Sequence, residues 1–292
     1  MNKVLIFGID SFTGIHLKNL FIKNNISVVG TSLTKTEDNF KCDLTKINDV
    51  INVLSLSNPS YIINLSAISY TDFDDYINYY NVNVLGVENI FTALNKLKIN
   101  PKKIILSSSA SVYGNNPSQL SETSELNPIS HYGLSKLTME KLCYNYFQDF
   151  NIIITRPFNY TGLGQNEIFI IPKLINHFKN RSKKIRLGNI NVFREFNNID
   201  FVIEAYYQLL FSNQKSEIFN ICSGNFYSIK NVIEILKKIM NHDIELILDK
   251  NYFRKNEIAK LYGNPSKLFL HFPSLKEKVF DIKEILLSMI KL

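Results

Sequence analysis

The chain of 292 residues is 45% apolar and 20% charged, a balance that suits a packed α/β protein of one large domain, or of a main domain with a smaller lobe, and excludes a disordered or repetitive chain. No apolar run approaches the roughly 20 residues that cross a bilayer, and the N-terminus enters a strand with no small-residue cleavage site; neither a membrane span nor a signal peptide is expected, and the expected compartment is cytoplasmic. Cys42, Cys143 and Cys222 form no C-x-x-C pair and imply buried free thiols rather than a disulfide framework or metal site, while the net charge of +7, carried by scattered lysines, fits a binder of anionic phosphates better than a binder of nucleic acid.

In chain order, the first half alternates short apolar strands with helical patterns. Residues 3–7 (KVLIF) predict a buried strand, 8–14 a glycine turn, and 15–23 a helix with Ile15, Leu17, Leu20 and Phe21 at its apolar positions. Further strands are predicted over 26–30, 61–65 (YIINL), 103–107 (KIILS) and 151–155 (NIIIT), and helices over 48–54, 83–97 and 132–150. Such alternation makes parallel βαβ units, and right-handed crossovers turn them into a doubly wound parallel sheet. After Arg156 the rhythm loosens, with loops containing Gly162, Gly164 and Pro172 around a helix near 173–178. The densest basic stretch, 179–186, lacks the interleaved aromatics of a single-strand groove and reads as a solvated helix end. The expected fold is α/β: a Rossmann-like doubly wound sheet over residues 1–155, with a later contribution from about 190–225, and a smaller α/β C-terminal lobe over 156–292 that binds substrate at the carboxyl edge of the sheet.

The first turn reads Gly8-Ile9-Asp10-Ser11-Phe12-Thr13-Gly14. Gly8 permits a tight turn and Gly14 lets helix and strand pack closely, so the helix N-terminus can direct amide N–H groups at a pyrophosphate. Gly8, Ser11, Phe12, Thr13 and Gly14 are therefore candidate dinucleotide-binding residues, although Ser11 stands where the usual pattern has its middle glycine. The alternative is an ordinary strand–turn–helix, against which the N-terminal position and the βαβ series behind it both argue. The second strand runs on through Val28-Val29-Gly30-Thr31-Ser32 without the acidic residue that would grip the ribose 2′-hydroxyl of NAD. Thr31 and Ser32 leave room for a 2′-phosphate that Lys35 could approach, which favours NADP(H) over NAD(H), unless the two hydroxyls merely form a polar turn. Asp43, in Cys42-Asp43-Leu44, would meet the adenine amino group or cap the segment that follows.

The sharpest signal is Tyr132-Gly133-Leu134-Ser135-Lys136. Tyrosine and lysine four apart share one face of a helix. A phenol titrates near pH 10, and a neighbouring ammonium favours its phenolate, which makes the pair a proton donor or acceptor nearer neutrality. Y-x-x-x-K alone is common and would usually be a chance surface pair. Here it follows Ser107-Ser108-Ser109-Ala110-Ser111-Val112-Tyr113-Gly114, placed directly after a strand, where a serine hydroxyl can hold the substrate oxygen whose proton Tyr132 moves.

This ordered set resembles the extended short-chain dehydrogenase/reductase family, the NAD-dependent epimerase/dehydratase group, and the likeness runs through nearly the whole chain. Asn64-Leu65-Ser66-Ala67 resembles the family's cofactor-lining strand end, and Asn83-Val84-Leu85-Gly86 its helix start. The S-S-x-x-V-Y-G pattern implies that Ser109 is the catalytic serine beside Tyr132 and Lys136, the lysine also contacting the nicotinamide ribose. Arg156-Pro157-Phe158-Asn159-Tyr160-Thr161-Gly162-Leu163-Gly164 is similar to the R-x-x-N-x-x-G-P-G segment, with Leu163 at its later proline. The likeness implies that Pro157 borders the nicotinamide and Asn159 meets a sugar nucleotide. Gly188-Asn189 with Arg194-Glu195-Phe196-Asn197-Asn198-Ile199-Asp200 resembles the G-N-x-x-x-x-R-D-F-x-x-V-x-D block, with Glu195 at the first aspartate and Phe201 at the last, so the next helix would be capped differently, by Asp200. Arg254-Lys255-Asn256-Glu257 and Gly263-Asn264-Pro265-Ser266-Lys267 resemble the closing segment. The implied cofactor set is Gly8, Ser11, Phe12, Thr13, Gly14, Thr31, Ser32, Asp43, Leu44, Leu65, Ser66, Ala67, Asn83, Tyr132, Lys136 and Pro157. The implied substrate set is Ser109, Ser111, Asn159, Arg194, Arg254 and Glu257, whose arginine forks suit a diphosphate.

Within the group the likeness leans to GDP-4-keto-6-deoxy-mannose reductases. The family's 4,6-dehydratases carry Asp-Glu directly after the catalytic hydroxyl residue, and here those positions are Ala110 and Ser111. GDP-fucose synthases carry a cysteine two residues after the serine, and here that is Ser111. What remains is a 4-ketoreductase of a nucleotide-linked (6-deoxy) sugar, GDP-linked by preference, or a nucleotide-sugar 4-epimerase with retained NAD. A non-catalytic cofactor sensor on the same fold would be expected to have lost Tyr132 or Lys136. The resemblance also implies a homodimer through helices 84–97 and 132–150, the second carrying Leu134, Leu137, Leu142, Tyr144 and Phe147, more apolar surface than one buried face requires.

Overall fold

The computed structural model describes every residue except 1–2, 35, 37–38, 70–74, 254–255 and 292, so Lys35 and Arg254 lie outside the described residues. Strand β1 (Lys3–Phe7) is an unbroken apolar run with Val4 to Phe7 fully buried, as a strand covered on both faces requires. Helix α1 (Phe12–Lys23) begins three residues earlier than its apolar periodicity suggests, because the Ser11 hydroxyl accepts the Gly14 N–H at 3.1 Å and caps it. There follow β2 (Ser27–Ser32), β3 (Asn39–Lys41), α2 (Ile47–Ser57), β4 (Tyr61–Asn64) and α3 (Tyr76–Tyr80). The helix expected from residue 83 starts instead as a π-turn over Asn81–Leu85 and becomes regular only in α4 (Gly86–Leu97). Asn83, buried in that turn, spends its amide on other segments rather than facing solvent.

Strand β5 (Lys103–Ser107) is followed by a 3-10 turn at Ala110–Tyr113 and by α5 (His131–Cys143). The expected continuation of α5 to residue 150 fails: a 3-10 turn at Tyr144–Tyr146 tightens its end. There Tyr146 is drawn onto α4, its ring stacked 4.2 Å from Phe91 and its hydroxyl donated to Glu88 at 2.6 Å. The remaining elements are β6 (Ile152–Pro157), β7 (Tyr160–Thr161), α6 (Ile170–Lys179), β8 (Lys184–Leu187), β9 (Phe193–Glu195), β10 (Asn197–Asn198), α7 (Ile199–Phe211), β11 (Glu217–Ile221), β12 (Phe226–Ser228), α8 (Ile229–Met240), β13 (Glu245–Leu248), β14 (Lys260–Leu261), α9 (Ser266–His271) and α10 (Ile282–Ile290). The basic stretch 179–186 is only partly a helix end, since Lys184 and Arg186 lie on the exposed face of β8. Asp200 is not the cap of α7: the Asn198 side chain accepts the Asp200 N–H at 3.0 Å and takes that role two residues earlier.

The main sheet has the order β11-β6-β5-β4-β1-β2-β3, and every pair from β6 to β3 is parallel. Strand order reverses between β1 and β4, the switch point at which ligands bind in doubly wound sheets. Two compact units share the chain. The first (Met1–Tyr113, Leu126–Arg156, Ile203–Phe219) holds the sheet and a core built on Leu5, Phe7, Ile62, Ile104 and Ile154 with Phe91 and Leu94 of α4. The second (Gly114–Glu125, Pro157–Val202, Asn220–Leu292) gathers three small sheets, β10-β7, β12-β9-β14 and β13-β8. Its core sets Leu174 and Phe178 of α6 against Ile233 and Leu236 of α8 and Leu286 of α10. Capping boxes at Ser228–Asn231 and Asp281–Glu284 start α8 and α10. The three cysteines are free and buried. Among the described residues no helix is long and apolar enough to cross a membrane.

Candidate active site

Gly8 leaves β1 with φ +79°, backbone that favours glycine, and a Cβ there would sit 2.9 Å from the Ser66 hydroxyl oxygen and 3.0 Å from the Ser66 nitrogen. A Cβ on Gly14 would lie 2.4 Å from the Gly8 carbonyl oxygen, so only glycine lets α1 start this close to the strand end. Ser11 has extended backbone (φ −67°, ψ 160°) that needs no glycine, and its hydroxyl is turned inward, donating to the Gly8 carbonyl at 2.7 Å while accepting from Gly14. A narrow turn opening the N-terminus of a 12-residue helix at the switch point fits a dinucleotide pyrophosphate. Thr13 is buried in the helix's first turn.

At the end of β2, Thr31 and Ser32 are both buried. The Thr31 carbonyl accepts the N–H of Gly8 and of Ile9, at 3.2 and 3.1 Å, and the Ser32 hydroxyl donates to the Thr34 carbonyl, so both residues shape the turn. Asp43 accepts from the Thr45 amide and hydroxyl at 3.0 and 2.7 Å. Burial pushes its carboxyl up, but the Thr45 hydrogen bonds and Lys46 outweigh this and hold it below the usual carboxylate range. Asp43 so closes a turn ahead of α2, whose own N-cap, Lys46, makes no side-chain capping bond. The Leu44 side chain belongs to the core, and its carbonyl accepts the Asn89 amide at 2.7 Å. Leu65 and Ala67 are half-buried after β4, where the Asn64 side chain accepts the Ser66 N–H at 3.1 Å. Asn83 ties this exit to α5: it accepts from the Ile68 N–H at 3.1 Å and donates to the Ser135 hydroxyl at 3.0 Å.

The three serines at the end of β5 have separate partners. The Ser107 hydroxyl accepts from Tyr206 at 2.9 Å, and its carbonyl accepts the Lys136 ammonium at 2.7 Å. Ser108 donates to the Glu140 carboxylate at 2.5 Å. The Ser109 hydroxyl donates to Ser111 Oγ and accepts the Ser111 N–H, both at 3.1 Å. Helix α5 is capped by Ser130, which accepts the Gly133 N–H at 3.1 Å. Gly133 brings this helix start against the serine loop, for a Cβ there would lie 2.7 Å from the Ser111 carbonyl oxygen. Tyr132, half-buried with its ring 6.3 Å from that of Tyr79, thus stands at the contact between α5 and the residue that holds Ser109. Lys136 is buried one turn on, and burial pulls its amine down to about 8, opposed by the nearby charge of Glu140. The structure so brings Ser109, Ser111, Tyr132 and Lys136 to one strand end of the first unit. Sequence reasoning missed Gly133 and Glu140; a glycine directly after the tyrosine and a carboxylate four residues after the lysine were the available signals.

In the second unit Pro157 ends β6, and the exposed Asn159 accepts the Asn197 N–H at its carbonyl, at 2.9 Å. Arg194 lies half-buried on β9, its Nη1 donating to the Phe193 carbonyl at 2.8 Å. Its neighbour Glu195 is fully buried, accepting the Gly263 N–H at 2.6 Å, the Ser223 N–H at 2.8 Å and the Asn197 amide at 3.0 Å. Burial raises that carboxyl, against the pull of those donors. Glu257 is half-buried, three residues before β14, which pairs with β9.

Residues 4–222 match the family model for the NAD dependent epimerase/dehydratase family. The chain belongs to the NAD dependent epimerase/dehydratase family. It is 32% identical over 268 residues to a GDP-6-deoxy-D-talose 4-dehydrogenase of Aggregatibacter actinomycetemcomitans, covering 91% of this chain and 90% of that one. It is 28% identical over 226 residues to a GDP-6-deoxy-D-mannose reductase of Pseudomonas aeruginosa, covering 72% and 73%. Among solved structures, a putative epimerase from Burkholderia cenocepacia superposes with a TM-score of 0.91 at 30% identity, over 99% of this chain and 97% of that one. As a member of this epimerase/dehydratase family the chain is an NAD(P)-dependent enzyme.

Proposed function

We propose that the protein reduces the 4-keto group of a nucleotide-linked 6-deoxy sugar, GDP-linked by preference, with NADPH favoured over NADH. The observation that carries this reading is the chemistry of the loop after β5. Beside Ser109 the side chains at 110 and 111 are a methyl and a hydroxyl, and Ser111 Oγ accepts the Ser109 hydroxyl at 3.1 Å. A dehydration needs a carboxyl acid or base at this point, and a deprotonation next to the carbonyl needs a stronger base than a hydroxyl. Ketone reduction needs neither: the carbonyl carbon takes a hydride and its oxygen a proton. Bound NAD(P)H supplies the hydride. Ser109 holds the carbonyl oxygen, Tyr132 gives it the proton, and the Lys136 ammonium favours the phenolate left behind, which solvent reprotonates. Two relatives whose names place redox chemistry on GDP-6-deoxyhexoses support the substrate class. The absence of a carboxylate at the end of β2 supports NADPH, while Asn159, Arg194, Arg254 and Glu257 are the proposed substrate contacts.

Replacing Tyr132 tests the assignment. Tyr132→Phe should cut turnover by about 100- to 10,000-fold, the usual worth of a general acid, and leave cofactor binding intact. Turnover within a few-fold of the parent would remove Tyr132 from the chemistry.

A further inference from the structure

Behind the serine loop lies a buried ion pair that the proton and hydride steps do not use. Arg156, at the end of β6, donates Nε to Glu140 Oε1 at 2.9 Å and Nη2 to Oε2 at 2.6 Å, a two-pronged contact with both side chains 1% exposed. Burial alone would lower the guanidinium, but the Glu140 hydrogen bonds and charge push it well above its ordinary value. The pair carries two further bonds. Glu140 Oε1 accepts the Ser108 hydroxyl, and Arg156 Nη1 donates to the Tyr113 hydroxyl at 2.9 Å with the guanidinium 5.0 Å from the Tyr113 ring centre. Ser108 and Tyr113 bracket the segment that holds Ser109 and Ser111. Glu140 itself is rooted on α5, one turn beyond Lys136. One ion pair therefore fastens both ends of the serine loop to the helix that carries Tyr132 and Lys136.

We propose that Glu140 and Arg156 are positioning residues that set the serine loop at its working distance from Tyr132. Removing either charge would strand the other in the core and unfold much of the protein, so such variants cannot separate the two roles. Misplacing a reacting group by about 1 Å costs on the order of 100-fold in rate, and the two bonded residues, Ser108 and Tyr113, lie one residue from Ser109 and two from Ser111. The proposal rests on the assignment of Ser109, Tyr132 and Lys136 as the reacting groups.

The test cuts the two links and leaves the ion pair in place. In full-length Ser108→Ala, Tyr113→Phe and the double variant, kcat is measured with NADPH and a 4-keto-6-deoxy nucleotide sugar, alongside cofactor Kd, Tm and amide exchange over residues 108–113. Val50→Ala, a core truncation in α2, serves as the stability control. We expect the double variant to lose about 10- to 100-fold in kcat, with cofactor Kd unchanged and faster exchange in the loop. The control should lose Tm at an unchanged kcat. A double variant with parental kcat, or with lowered kcat but unchanged exchange in the loop, overturns the proposal while Tyr132→Phe stays inactive. Parental turnover in Tyr132→Phe overturns the underlying assignment instead, and the proposal with it.

Discussion

Lys136 links the residue scale to pH. Its amine is pulled down to about 8 by burial, below its ordinary value of 10.5, so between those two values the folded protein binds fewer protons than the unfolded chain. This side chain's contribution to stability therefore grows as pH rises from about 8 towards 10.5 and is absent below 8. Its contribution to turnover has the opposite sign, because the ammonium that supports Tyr132 is lost on the same rise. We expect kcat/KM for reduction to fall as pH rises through about 8, in a profile measured with saturating NADPH; a flat profile across that value would separate Lys136 from the proton transfer. That Tyr132 and Lys136 share one helix was legible in the sequence, because residues four apart lie on one face whatever surrounds them. Ser11 was less so. Its place in the glycine pattern was plain, but only the folded turn shows the hydroxyl bonded to Gly8 and Gly14, a cap in place of a close approach. The burial of Thr31 and Ser32 makes the missing carboxylate, rather than their hydroxyls, the feature that bears on cofactor choice.

At the scale of elements, the contact between α5 and the serine loop depends on one missing methyl. Gly133→Ala would set a Cβ 2.7 Å from the Ser111 carbonyl and 3.0 Å from the Pro128 Cβ, and backbone on one side leaves the helix to yield. A shift of this kind should lower kcat by about 10- to 100-fold with little change in cofactor Kd. Parental kcat in Gly133→Ala, measured with Tm as a check on folding, would show that this contact does not place Tyr132. No local pattern announces the contact, which joins residues 22 apart in sequence, just as the bond from Ser108 to Glu140 spans 32. The ends of α5 and α4 escaped the sequence for the same reason: Tyr146 and Asn83 take their conformations from partners on other elements.

The whole molecule shows the doubly wound order that alternating strands and helices promised, whereas the second unit's sheets are built from strands of two to four residues with distant partners, too short for a period to stand out even where, as in β8, exposed and buried residues alternate. Its surface bears on assembly. Leu142 and Phe147 of the expected apolar surplus pack against the core, but Leu134 on α5, Leu85 before α4 and Ile77 on α3 stay 43%, 54% and 72% exposed in the first unit. We expect a homodimer that covers them, so that sedimentation at micromolar concentrations gives twice the 33.8 kDa chain mass and Leu134→Glu halves it; a monomer for the parent protein would refute this. The reduction itself can be measured directly. Purified protein is mixed with NADPH, or with NADH, and a GDP-linked 4-keto-6-deoxyhexose, and absorbance of the reduced cofactor is followed to completion. We expect one reduced cofactor consumed per sugar, NADPH used at least as fast as NADH, and protein that purifies with little bound nucleotide. Protein that purifies with a full complement of nucleotide and interconverts two nucleotide hexoses without added cofactor would contradict it and establish an epimerase.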